Sequence, residues 1–176
     1  RGLVGSEMCI RDRGYAAWID EQWAKPVSRH RANWETQDAI LKRANPNNNA
    51  GQDGLYNSFW KTAVTGEDQL RQRLAFALSQ IFVISMQDGN VGNNPRGTAD
   101  FLDLLAQQGT GSYRQLLEGV SRHPTMGVYL SHLRNRKADP RTGRVPDENY
   151  AREVMQLFSI GLHQLEQDGS PRRSGG

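Results

Sequence analysis

The sequence predicts an all-α fold: a single multi-helix domain, truncated, with at most a small C-terminal β-hairpin. Three observations predict it. Apolar residues recur at three- and four-residue spacing in several segments, the helical rather than the strand period. Gly, Pro and Asn interrupt these segments at short intervals, and several of them open on helix-capping residues. No internal repeat runs through the chain.

The elements follow in order. Tyr15, Trp18, Ile19 and Trp23 form a helical stripe that stops before Pro26. Asn45 to Gly54 holds Pro46, four asparagines and two glycines and reads as a loop. Leu55 to Val64 places Leu55, Phe59 and Trp60 on one face. Thr65, with Asp68 three positions on, offers a capping arrangement for a helix from about Gly66 to Ser85. Its stripe of Leu70, Leu74, Leu78 and Ile81, widened by Ala77, Phe82 and Val83, is apolar enough for the central core helix. Gln87 to Gly97 is a loop, and Thr98 caps a helix through Leu105. Ser112 with Gln115 makes a capping box for Tyr113 to Ser121. Pro124 suits the first position of a short helix to about Leu133. A basic loop from Arg134 to Pro146 follows. Asp147 caps a last helix to Ile160, stopped by Gly161, and Asp168-Gly169 reads as a turn that can join two short strands.

The first residues read differently. Leu3 to Asp12 matches the in-frame translation of a transposase-type sequencing adapter, and the trailing bases complete Arg13. Residues 1–13 are therefore read as adapter-derived, 14–169 as a fragment of one helical domain, and 170–176 as a suspect tail. The single cysteine, Cys9, falls in the adapter stretch. Disulfides and cysteine-ligated metals are then excluded for the rest. Removing residues 1–13 also leaves 19 basic and 17 acidic residues, with Arg172 and Arg173 accounting for the surplus. A basic balance of this size without a clustered patch argues against nucleic-acid binding. No apolar run reaches the ~18 to 20 residues of a membrane span.

The basic side chains are mostly arginine, with four lysines among 22. The loop residues Arg134, Arg136, Lys137, Arg141 and Arg144 could meet phosphate or sulfate, though Asp139 and Asp147 partly balance them. Trp18, Trp23, Trp34, Phe59 and Trp60 cluster early; they could line a ligand groove, but core packing is the commoner use of such residues.

Several blocks carry a resemblance. They are Leu70-Arg71-Gln72-Arg73-Leu74-Ala75-Phe76-Ala77-Leu78-Ser79-Gln80-Ile81-Phe82, then Gly111 to Leu117, then His123-Pro124 with Met126 and Tyr129-Leu130. The most specific are Asn135-Arg136-Lys137-Ala138-Asp139-Pro140 and Pro146-Asp147-Glu148-Asn149-Tyr150-Ala151-Arg152-Glu153-Val154-Met155-Gln156-Leu157. In this order they resemble the bacterial domain-of-unknown-function 1800 family over residues 70–169, more loosely over 14–69. The resemblance implies a larger helical protein with a secretory signal, hence an extracellular or periplasmic location. It also implies a sulfatase-like exported protein as partner, and it implies no established activity.

The sharpest chemical pattern is Asp147 to Glu153. On a helix Glu148 and Arg152 are neighbours four apart, as are Asn149 and Glu153. For an enzyme, a hydrolase or metal-dependent one, the catalytic candidates are Glu148, Arg152, Glu153 and His123, with Arg73, Asn149 and Tyr150 binding ligand. The structural alternative is a capped helix start with one surface ion pair and one buried Arg–Glu clamp, in which Arg73 meets Glu153 or Glu148. His30, His123, His132 and His163 lack ligand spacing, so no metal site and no cofactor are expected; were a metal bound, Glu148, Glu153 and His123 would hold it. Phosphate loops, dinucleotide fingerprints and nucleophile elbows are absent. The balance favours a binding or interaction module.

Overall fold

The molecule is described by a computed structural model over residues 14–159 and 161–172. Residues 1–13, Ile160 and 173–176, and with them the adapter reading and most of the suspect tail, lie outside the described residues; the last helix, expected to run to Ile160, already ends at Gln156. Among the described residues the fold is all-α, with nine helices. They are α1 (Tyr15–Ala24), α2 (His30–Ala44), α3 (Gly51–Thr65), α4 (Gln69–Ser79), α5 (Gly89–Gly92), α6 (Pro95–Gln108), α7 (Tyr113–Arg122), α8 (Pro124–Tyr129) and α9 (Asn149–Gln156). Extended structure is limited to isolated bridges, Asp139 with Arg144 and Leu165 with Pro171. The second closes around the Asp168-Gly169 turn, with Gly169 in the left-handed region at φ 84°.

α6 is the helix on which the others pack. Pro95 opens it without leaving an unmet N–H, and Asn94 Oδ1 accepts from Gly97 N at 3.1 Å. Pro95, Thr98, Ala99, Phe101, Asp103, Leu105 and Ala106 are all buried, and α2, α3, α4, α5, α7 and α8 all contact it. One core cluster gathers Phe101, Leu105, Leu116, Val120 and Met126 with Ala75, Phe82 and Phe158. A second joins Trp34, Ala50, Leu55 and Ala99. Burying each large apolar side chain stabilises the fold by roughly 1.5–3 kcal/mol.

Several expectations are corrected. The central helix is α6, not the Gly66–Ser85 segment. α4 covers only Gln69–Ser79, because the chain tightens at Leu78, whose carbonyl accepts from both Ile81 N and Phe82 N. Ile81 and Val83 are exposed. Thr65 ends α3, its hydroxyl donating to Lys61 O, so it does not cap α4. Thr98 lies buried inside α6 rather than at its start. Ser112 precedes α7 as expected but makes no side-chain capping bond. α8 starts at Pro124 and ends at Tyr129, short of Leu133.

α2 corresponds to no element that the sequence predicts. Its buried face is His30, Trp34 and Asp38, a helical spacing made largely of polar groups, while Ile40 and Leu41 point outward. α3 begins four residues before Leu55, inside the segment read as a loop. Gly54 is there because the helix lies against Trp34: a Cβ on it would stand 3.0 Å from Trp34 Cδ1 and 2.6 Å from Ala50 Cβ.

Candidate functional site

The α9 segment carries the sequence candidates. Asp147 Oδ1 accepts from Asn149 N at 2.9 Å, so it caps the helix from one position before the cap residue, Glu148. Hydrogen bonds from Ser131 and from Asn149 N, the larger causes, hold the Asp147 carboxyl below its ordinary range. Glu148 and Arg152 form an exposed ion pair one helical turn apart. Tyr150 Oη lies 2.5 Å from Ser121 Oγ, and its ring lies on His132 with centroids 3.9 Å apart. Burial raises the Tyr150 phenol pKa against the opposing bond to Ser121. Glu153 is half-buried, and its Oε2 has no hydrogen-bond partner among the described residues.

His123 sits elsewhere, at the α7–α8 junction. Its Nδ1 accepts from Thr125 N at 3.2 Å, capping α8. Its Nε2 lies 3.4 Å from Asp100 Oδ2, and Phe101 presents an edge at 5.2 Å. Burial lowers its pKa, with Asp100 opposing. No hydrogen bond or ion pair joins His123 to Glu148, Arg152 or Glu153. The surface ion pair of the structural alternative is present, but its buried clamp is not: Arg73 is exposed and makes no ion pair with either glutamate. The spacing on α9 could not show this, because Arg73 faces away, toward α3. In the basic loop, Asp139 draws Arg141 Nε to 3.7 Å and Arg144 to 4.0 Å. Among the described residues no cluster of three or more His, Cys, Asp or Glu could hold a metal ion.

Arg73 instead borders a cleft of about 360 Å³ between α3 and α4, closed at one end by the start of α2. Gln69, Gln72, Arg73 and Phe76 recur at helical spacing and so share one face of α4. Opposite them α3 presents Phe59, Trp60, Thr62 and Ala63. Phe59 is the hinge of the aromatic wall, edge-on to Trp60 at 5.3 Å and tilted against Phe76 at 6.0 Å. Trp60 remains 65% exposed and Phe76 51%. Core packing therefore describes Trp34 but not Trp60.

The floor of the cleft is polar and internally paired. His30 Nδ1 lies 3.1 Å from Ser58 Oγ, and Nε2 lies 3.2 Å from Gln72 Oε1. Gln72 Nε2 donates to Asp68 Oδ2 at 3.0 Å, which turns its Oε1 toward His30 and calls for the Nε2–H tautomer. Burial lowers the His30 pKa, opposed by Asp103, Gln72 and Asp68. Below lies Asp68, fully buried. Burial alone would raise its pKa, but bonds from Ser28 and Gln72 outweigh that and leave it lowered. Ser58 is also fully buried, so the Ser58–His30 contact has no route to a substrate and is structural. Sequence reading named Arg73, Phe59 and Trp60 separately. It missed His30, Gln72 and Phe76 as their neighbours, and only the apolar–cation pattern of α4 hinted at them.

Compared with known families, residues 6–169 match one described as Protein of unknown function (DUF1800). The match takes in part of the segment read as adapter. No curated protein and no solved structure matches the chain. Among the described residues no helix is long and apolar enough to cross a membrane.

Proposed function

The chain belongs to the DUF1800 family, whose description assigns no activity, and from that premise we propose that it is a binding module whose ligand site is the α3–α4 cleft. The observation that carries the reading is the aromatic wall left open to solvent. Trp60 and Phe76 are large apolar side chains that a monomer gains by covering, yet they stand over a concave site of small-molecule size, about 300–1,000 Å³ in typical cases. The module is proposed to belong to a bacterial protein of the envelope or extracellular space, with a sulfatase-like exported protein as its partner. Co-purification of the two from a native host tests the partnership. Fragment screening by NMR on labelled protein tests the site: hits should perturb the Trp60 indole N–H and the α3 and α4 amides. Hits that gather on α9 instead would overturn the site assignment.

A second reading, a hydrolase or metal-dependent enzyme, has one supporting observation, the unpartnered buried Oε2 of Glu153. Its catalytic set would be Glu148, Arg152, Glu153 and His123. Hydrolytic turnover abolished by Glu153→Gln with the fold intact would favour it over the module.

A further inference from the structure

We propose that the ligand of the α3–α4 cleft is a small aromatic carboxylate, its ring held by Phe59, Trp60 and Phe76 and its anion by Arg73; this rests on the cleft being the binding site. Three features select that class. The walls offer aromatic faces and edges, which suit a flat apolar body. The polar floor has little left to give: both ring nitrogens of His30 are engaged, and Gln72 is bound to His30 and Asp68. The Gln69 amide donates to Thr62 O and Gly66 O. A sugar, which needs many free donors and acceptors, finds few here.

The third feature is charge. Among the residues lining the cleft Arg73 is the one cation and none is Asp or Glu, and among the described residues exposed Arg73 has no ion pair. Beneath the floor, Asp68 is already met by Ser28, Gln72 and Arg71, whose Nε lies 3.9 Å away, and Asp103 by the backbone N–H groups of His30 and Arg31. Arg73 thus presents an uncommitted planar fork at the rim, the geometry that binds a carboxylate through two parallel hydrogen bonds. A cleft of about 360 Å³ has room for one fused ring system.

Isothermal titration with three isosteres tests this: indole-3-acetate, its neutral alcohol tryptophol, and its cation tryptamine. Indole-3-acetate should bind about fivefold tighter than tryptophol, the scale of one solvent-accessible ion pair, with tryptamine weakest. High salt should shrink that preference. Arg73→Gln should erase it and Arg73→Lys retain part of it, while Trp60→Ala should weaken all three probes; thermal unfolding checks that each variant folds. Tryptophol binding as tightly as indole-3-acetate, with both lost in Trp60→Ala, would overturn the carboxylate and leave the cleft as a site. Failure of all three probes to bind would overturn both.

Discussion

Asp103, in the middle of α6, receives the backbone N–H of His30 at 2.7 Å, and its other oxygen receives Arg31 N at 3.2 Å. α2 has no capping side chain of its own; the cap is delivered from a different helix 73 residues away. The bond that starts α2 is therefore the same bond that docks it on α6 and sets His30 at the cleft floor. Burial raises the Asp103 pKa, with the two backbone bonds opposing.

Removing that carboxylate leaves one buried and one half-buried donor unmet. Asp103→Ala should cost about 2–3 kcal/mol, combining a lost cap with an unsatisfied donor. Asp103→Asn keeps one acceptor and should cost less. Urea denaturation midpoints check the order, and an Ala variant as stable as the parent would sink the docking role.

How much of this was legible varies with the kind of residue that makes each contact. α1, α7 and α8 were readable because Pro26, Ser112 and Pro124 punctuate apolar stripes. α2 was not, since its buried face is His30–Trp34–Asp38 and its cap comes from α6; no local pattern encodes either. Asp38 does the same for α3, its Oδ1 accepting Ala50 N at 3.0 Å while Lys42 holds Oδ2 at 2.7 Å. The cleft was legible only as parts. The sequence marks Arg73 as a ligand-binding residue and Trp60 as a groove candidate, but their meeting depends on how α3 and α4 lie together. The place of Arg73 near the apolar border of the α4 segment points equally to a buried clamp with α9, and no local pattern tells the two apart.

Stability should fall on mild acidification. Burial lowers the His123 pKa below the ordinary imidazole value of about 6.5, with Asp100 opposing. Between the folded and unfolded pKa values the unfolded chain binds more protons, so stability rises with pH across that window. It is complete above about 6.5 and lost as pH drops through that value toward the folded pKa. His30 has the same sign, again through burial. His123→Asn, which keeps an acceptor for Thr125 N, should flatten part of the slope. Urea midpoints that stay level between about pH 7.5 and 5.5 would contradict the burial of both imidazoles.

Gly54→Ala is normally a gain inside a helix, worth about 1 kcal/mol. Here the new methyl would meet Ala50 Cβ at 2.6 Å and Trp34 at 3.0–3.2 Å. Ala50 Cβ cannot rotate away, and Trp34 is held by its Nε1 bond to Gly51 O at 2.8 Å. Overpacking should win, with a net loss of about 1–3 kcal/mol. Thermal unfolding of the variant decides it, and a raised midpoint would mean that α2 and α3 can separate without penalty.

Two aromatic truncations separate binding from folding. Phe101 is wholly enclosed, within a core that includes Leu105, Val120 and Met126, so Phe101→Ala should cost about 3–5 kcal/mol. Trp60 has most of its surface in water and one close ring partner, Phe59 at 5.3 Å. Losing that edge contact should cost no more than about 1 kcal/mol. If Trp60 were a core residue, as the early aromatic cluster first suggests, the two costs would be alike. Chemical denaturation of both variants distinguishes these cases. A small loss for Trp60→Ala leaves its large apolar surface without a folding role, which is the condition for assigning it to a ligand.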